Sequence, residues 1–182
     1  MDKETDVGLI QRYRGGDQSA FTELVIRYQR QIYNAAFWIL RRGEDANDIT
    51  QEVFLRVAER MDEYDPRFKF FSWIYRIAVN ESLNLLRRNK LEHPLTNELD
   101  LSAMDGAGPE QQLGDAQLYK RIQNALMRMT TNDRTVLSLR HFSECSYEEI
   151  GQILDLDAKT VKSRLFEARQ RLGNALADLR TD

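Results

Sequence analysis

Proline occurs at only three positions in this chain, 66, 94 and 109, and no stretch alternates apolar and polar residues at the two-residue period of a strand. Between these breaks apolar residues recur every three to four positions, so the chain is expected to be all-α. Asp6 to Arg14 reads as a short helix closed by Gly15 and Gly16. A longer helix follows from Asp17, with Ala20, Leu24, Tyr28, Ile32 and Ile39 on one side and Gly43 as its expected end. Asp45 or Asn47 is the expected cap of a third helix, striped by Ile49, Val53, Phe54, Val57 and Met61. Pro66 disfavours helix at Asp65, so residues 64–66 form a loop and a fourth helix starts near Phe71.

From residue 91 to about 114 the periodicity lapses, and His93-Pro94, Gly106 and Gly108-Pro109 mark a linker. The expected organisation is therefore two small helical domains, 1–90 and 114–182, joined by a flexible acidic linker over 91–113. In the second domain Leu118, Ile122, Ala125, Leu126 and Met129 define a helix, and Thr131 or Asn132 can cap the next. Ser146 and Glu149 carry the hydroxyl and carboxylate, three residues apart, of a capping box. After a short helix and a tight Asp155-Leu156-Asp157 connection, a last helix runs from Ala158 to about Leu179.

The net charge of −3 looks wrong for a nucleic-acid partner until it is mapped along the chain. Residues 44–65 hold eight acids and two arginines, whereas 67–90 hold six bases and one acid. Residues 91–118 hold six acids and no Lys or Arg, and 158–172 hold five bases and one acid. Sign alternates in blocks, so the average hides two basic surfaces. No apolar run approaches the ~20 residues of a membrane span, and the N-terminus lacks the layout of a signal peptide, so a cytoplasmic protein without membrane insertion is expected. One cysteine, Cys145, and two histidines, His93 and His141, offer no disulfide and no metal spacing. Cys145 is expected as a small buried residue. No phosphate-cradling glycine loop and no nucleophile–base pair is present, so neither an enzyme nor a cofactor is expected.

The basic block 67–90 carries a distinctive face. At 100° per residue, Trp73, Arg76, Asn80, Asn84 and Arg87 fall within about 80° of one another, while Ile74, Ala78, Val79, Leu83, Leu85 and Leu86 can turn to a core. Arg67, Lys69, Phe70 and Phe71 lie just ahead of that face. Aromatic planes beside cations and amides suit unpaired nucleic acid; a solvated basic helix is the competing reading. In the second domain, two helices joined by a three-residue turn, with Ile150, Leu154, Leu156, Val161 and Leu165 as the seam, form a helix-turn-helix layout. On its second helix Lys162, Ser163, Phe166 and Glu167 face away from the apolar stripe, where they can meet base edges. Arg164, Arg169 and Arg171 are placed for phosphates. On the third helix Asp48, Gln51 and Glu52 form an acidic outer face, either solvated or a protein-docking surface. These features admit a DNA-binding helical protein, such as an autonomous helix-turn-helix regulator with a sensor or dimerisation domain, and, as a further rival, an RNA-binding or structural helical protein.

Four segments in order, GDQSAFTELVIRYQ (16–29), EDANDITQEVFLRV (44–57), FFSWIYRIAVNESLNLLRR (70–88) and SYEEIGQIL with TVKSRLFEARQRL (146–154 and 160–172), resemble the bacterial extracytoplasmic-function (group IV) RNA polymerase sigma factors. The resemblance covers nearly the whole chain. It implies that residues up to about 90 bind the polymerase clamp and open the −10 promoter element. Asp48, Gln51 and Glu52 would dock the coiled coil of the largest polymerase subunit. Asn80, with Phe70, Phe71, Trp73 and the loop from Asp65 to Lys69, would capture a flipped base. Residues 114–182 would contact the polymerase flap and read the −35 element through Lys162, Ser163, Phe166 and Glu167. Core RNA polymerase, promoter DNA and an anti-sigma protein are the implied partners. Glu167 stands where relatives often carry Arg, and the loop DPRFKFF is bulkier and more basic than in many of them.

Overall fold

The computed structural model describes residues 4–92 and 116–178, with side chains over 4–89 and 121–177; the expected linker lies, beyond residue 92, outside this range. Among the described residues there are helices and no strand. The first half contains α1 (Asp6–Arg14), α2 (Gln18–Leu40), α3 (Gly43–Glu59), a 3-10 turn (Met61–Glu63) and α4 (Phe70–Glu92). The second contains α5 (Ala116–Arg128), α6 (Thr131–His141), α7 (Tyr147–Leu154) and α8 (Ala158–Asp178).

Local chemistry sets most boundaries. Thr5 Oγ1 accepts from the Gly8 amide at 3.2 Å to cap α1, and Asp17 Oδ1 accepts from the Ser19 amide at 2.9 Å to cap α2. The Ser19 hydroxyl donates to the same oxygen at 2.6 Å and Arg12 clamps the other at 2.6 Å; the hydroxyl first, then the guanidinium, hold the Asp17 carboxyl down at about 2. Three expected boundaries differ. Helix α2 ends not at Gly43 but at Arg41, which adopts the left-handed conformation (φ 68°) and donates its amide to Phe37 O at 2.8 Å. Gly43 instead opens α3, whose flanking residue Arg42 makes no side-chain cap, so neither Asp45 nor Asn47 caps it. Glu44 and Asp45 sit in the first turn, where their charge complements the helix dipole. The sixth helix is capped by Thr130 rather than Thr131 or Asn132, its hydroxyl accepting from the Asp133 amide at 3.3 Å.

In the first half α2 is the central element, packed by α1, α3 and α4. Leu24, Ile32, Val53, Val57, Ile74 and Ala78 are buried together around it. Asp6 joins α1 to α2 by accepting from both Arg27 and the Tyr28 hydroxyl. Burial, with the Asp6 carboxylate beside it, pushes the Tyr28 phenol well above its ordinary value.

The second half is built around α6 and the α7–α8 pair. Ser146 and Glu149 form the expected capping box: Ser146 Oγ accepts from the Glu149 amide at 3.1 Å, and Glu149 Oε2 accepts from the Ser146 amide at 2.7 Å. Asp155 turns the chain at φ 55°, and Asp157 accepts from the Thr160 amide at 2.8 Å at the start of α8. The turn folds back closely on α7, since a Cβ on Gly151 would lie 2.5 Å from Leu156 O. Cys145 is buried as expected, and burial pushes its thiol up to about 12.

The two halves pack directly against each other, α6 on α2 and α7 on α4. The Arg134 side chain, 3% exposed, donates from Nε to Trp38 O at 2.8 Å and from Nη2 to Ile39 O at 3.2 Å. A cation thereby satisfies carbonyls left open at the C-terminus of α2, which has no basic residue of its own in its last turn. Burial, with Arg41 nearby, lowers the Arg134 guanidinium to about 10. Trp38 stacks on Phe142, and the Tyr75 hydroxyl lies 3.1 Å from Gln31 O and 3.0 Å from Ser143 Oγ.

Candidate nucleic-acid interface

The loop entering α4 is fixed before any ligand arrives. Its turn is closed by the Phe68 amide donating to Asp65 O at 3.1 Å, with Pro66 at a turn position its fixed φ favours. The Asp65 carboxylate accepts from the Arg67 amide at 3.0 Å and from its guanidinium at 2.6 Å, and is held below the ordinary carboxylate range by them. The Tyr64 hydroxyl donates to Phe68 O at 2.7 Å, and Arg14 Nη2 donates to Met61 O at 2.6 Å from below.

Phe70 does not present a stacking plane. It is 2% exposed and packs edge-on against Tyr28 and Tyr64, with ring centroids 5.6 and 5.5 Å away. Trp73 and Phe71 are half-buried, Trp73 beside Tyr64 at 5.5 Å and Phe71 beside Tyr75 at 4.4 Å. Arg76, Asn80, Asn84 and Arg87 are exposed along α4, so four of the five residues assigned to one face lie open. Arg87 Nη1 donates to Asn84 Oδ1 at 3.3 Å. Ile74, Ala78 and Val79 are buried behind them and Leu83, Leu85 and Leu86 partly so.

Sequence reasoning placed Phe68 in the loop without singling it out, yet its ring is 52% exposed. The available signal was an aromatic directly after a proline turn and between two cations, Arg67 and Lys69. Phe68 and Lys69 border a groove of about 610 Å³ that runs between this loop and the segment joining α6 to α7.

On α8, Lys162, Ser163, Arg164, Phe166, Glu167, Arg169 and Arg171 are all exposed, Phe166 at 61%. Val161, Leu165 and Ala168 are buried on the opposite side. The arginines are not equivalent. Arg171 bridges Asp133 Oδ1 at 2.7 Å and Glu167 Oε2 at 3.0 Å, so it braces Glu167 against the base of α6. Arg169 Nε approaches His141 Nε2 at 3.4 Å, and Arg164 is free to meet a phosphate.

The acidic face of α3 is less uniform than its spacing suggests. Asp48 and Gln51 are exposed, while Glu52 is half-buried and accepts from Arg56 Nε at 2.8 Å. Leu55, 61% exposed, lies one turn beyond Gln51 and adds an apolar contact point that the sequence did not mark. Among the described residues no group of His, Cys, Asp and Glu could hold a metal ion, and no helix is long and apolar enough to cross a membrane.

The family model for sigma-70 region 2 matches residues 24–92, and that for sigma-70 region 4 matches residues 119–172. The ECF RNA polymerase sigma factor SigW of Bacillus subtilis is 33% identical over 179 residues, covering 93% of this chain and 96% of that protein. The ECF RNA polymerase sigma-E factor of Escherichia coli is 30% identical, covering 96% of each. Two solved structures share the fold. CnrH in complex with the cytosolic domain of CnrY has a TM-score of 0.72 at 23% identity over 96% of this chain and 99% of that one. The sigma factor RpoE in complex with the anti-sigma factor NepR from Bartonella quintana has a TM-score of 0.71 at 22% identity over 86% and 96%. Because the relatives match the first half as fully as the second, a helix-turn-helix regulator with an unrelated sensor domain is disfavoured. The chain belongs to the extracytoplasmic-function branch of the sigma-70 family, whose members direct core RNA polymerase to promoters.

Proposed function

We propose a division of labour within this promoter-directing sigma factor. The domain of residues 1–90 engages the −10 element through α4 and the loop before it. Asn80 with Phe68, Phe71 and Trp73 reads an extruded base there, while Phe70 holds the loop from inside, and Arg76 and Arg87 hold backbone phosphates. Extruding a base costs a few kcal/mol, and stacking at ~1–3 kcal/mol per base offsets that cost. Asp48 and Gln51 on α3, with Glu52 and Leu55 beside them, dock the coiled coil of the polymerase clamp. The domain of residues 114–182 contacts the polymerase flap and reads the −35 element with Lys162, Ser163, Phe166 and Glu167. The residues 91–113 between them act as an acidic tether.

The observation that carries this reading is the pairing, on one chain, of two exposed nucleic-acid faces of different kinds. One is an amide- and arginine-bearing face on α4; the other is a helix-turn-helix face with an exposed Phe166 beside Lys162. The protein acts as a dissociable specificity subunit and not as an enzyme, it works in the cytoplasm beside polymerase, and a separate anti-sigma protein controls it. The fold shared with the sigma factor RpoE, solved in complex with the anti-sigma factor NepR, supports that control.

Run-off transcription with core polymerase on genomic fragments tests the reading. Promoter-specific starts that depend on added protein are expected. A specific footprint on duplex DNA without polymerase, and no transcripts with it, would favour the regulator instead. Trp73→Ala or Asn80→Ala should impair promoter opening and spare core binding, whereas Gln51→Ala with Glu52→Ala should weaken core binding and leave the −35 domain's DNA contacts intact, with core binding read separately by co-purification.

A further inference from the structure

Helix α8 turns two kinds of polar side chain outward, those the protein already holds and those it leaves open. Its buried stripe is Val161, Leu165 and Ala168, with Leu172 partly buried. At 100° per residue, Ser163 and Gln170 point within about 10° of directly opposite that stripe. Phe166 and Glu167 flank this crest by about 50° on either side, and Arg164, Arg169 and Arg171 lie near the edges, about 90–110° from it. A helix seated in a major groove meets bases with its crest and phosphates with its edges. Gln170 therefore occupies a base-facing position.

What surrounds Gln170 is spoken for. Arg171 is committed to Asp133 Oδ1 at 2.7 Å and to Glu167 Oε2 at 3.0 Å, which draws the Glu167 carboxylate toward α6. Arg169 Nε approaches His141 Nε2 at 3.4 Å. The Gln170 side chain is exposed, and among the described residues no hydrogen bond engages its amide. Its flank is open too, since nothing lies within 4 Å of where a Cβ would stand on Gly173.

A carboxamide in the major groove matches one base best. Adenine sets the N7 acceptor beside the N6 amino donor, so a glutamine can bond both at once. Guanine offers two acceptors there, and each pyrimidine a single polar group. From Ser163 to Gln170 the helix rises ~10 Å, about three base-pair steps at ~3.4 Å each, so the two side chains meet different base pairs.

We propose that Gln170 is a further specificity-determining residue of the −35 interface and that its carboxamide selects an adenine. This inference rests on the −35 assignment of α8 made above and adds one position and one base to it.

The test uses the full-length protein with core polymerase on a mapped promoter randomised across its −35 element. Sequencing the run-off transcripts gives the preference at each position. Wild type is expected to favour adenine at one position by about tenfold. Gln170→Ala should level that position and leave the others within about twofold; alanine favours helix, so the fold is kept. Gln170→Glu can only accept, and should move the same position toward cytosine, whose N4 amino group donates. A purely structural glutamine would give no such switch. The inference is overturned if both variants keep the wild-type preference at every position, as a solvated side chain would. It is overturned equally if they weaken all sequences alike, as a lost phosphate contact would, or alter only a position where wild type prefers another base. Lys162→Ala and Phe166→Ala report on the parent assignment. If they shift −35 preferences and Gln170→Ala does not, α8 reads the element without Gln170. If they too change nothing, the −35 assignment fails and the inference with it.

Discussion

The indole of Trp38 lies nearly flat on the ring of Phe142, with centroids 4.8 Å apart and planes within 14°, so the end of α2 and the end of α6 share one aromatic contact. Arg134 reaches the same place from the α6 side and donates to the main-chain oxygens of Trp38 and Ile39. The seam between the two DNA-binding halves is therefore a helix terminus, capped from the other domain.

Arg134→Met should open that seam. It removes the donors to Trp38 O, Ile39 O and Met129 O, and buried acceptors left unsatisfied cost about 1–3 kcal/mol. A lower unfolding midpoint and a larger radius of gyration in small-angle scattering are expected. Arg134→Lys should not restore either value, because an ammonium cannot span carbonyls that the planar guanidinium reaches as a fork.

Two glycines should respond in opposite directions. At Gly151 an added methyl would lie 2.5 Å from Leu156 O, so Gly151→Ala forces the helix-turn-helix apart at an overpacking cost of about 1–3 kcal/mol. At Gly173 nothing lies within 4 Å of the added methyl, and Gly173→Ala in the helix interior should gain up to about 1 kcal/mol. Thermal unfolding by circular dichroism separates the two, and only Gly151→Ala should lose −35 binding.

Glu167→Arg should change preference at one −35 position and leave the rest alone, since one good side-chain–base pairing is worth about 1–3 kcal/mol of discrimination. Arg171→Ala should blur preference at that same position, because it releases the brace at 3.0 Å that orients the Glu167 carboxylate. Selection of promoter variants by sequencing measures both, and unchanged preference in Glu167→Arg would remove Glu167 from the reading set.

Cys145 should be inert toward thiol reagents in the folded protein. Burial pushes its thiol up to about 12, so at pH 8 the reactive thiolate is about a thousandfold scarcer than in an unfolded chain with an ordinary cysteine. Reaction with an aromatic disulfide reagent should be slow in buffer and fast in guanidinium. Fast reaction of the native protein would show an accessible thiol and contradict its burial.

What the sequence disclosed follows the range of the forces involved. Helices and their buried stripes were legible because periodicity is local, and the Ser146–Glu149 box was legible because its partners are three residues apart. The end of α2 was misjudged because Gly43 is the conventional stop signal, whereas Arg41 takes the left-handed position with part of its side chain buried. Phe70 read as a stacking plane because its neighbours are basic, yet Tyr28 and Tyr64, distant in sequence or across the loop, enclose it. The seam left no periodic mark at all. Arg134 sits between polar residues in a short helix, and only the position of α2 reveals what its guanidinium is for. Of the interface residues, those on α4 and α8 could be placed by face, but the bracing of Glu167 by Arg171 and Asp133 depends on α6 lying beneath α8.

The composition of the seam governs how readily it is undone. An apolar joint between two domains is hard to leave, because water offers nothing in exchange for the lost burial. Here the joint holds, beside the buried apolar residues of both halves, a guanidinium on carbonyls, a phenol on a hydroxyl and a lysine on a carboxylate. Each is a contact that water, or a phosphate, can replace in kind. The polar contacts are thus the part of the seam that solvent can take over, and the stacked rings of Trp38 and Phe142 the part that it cannot.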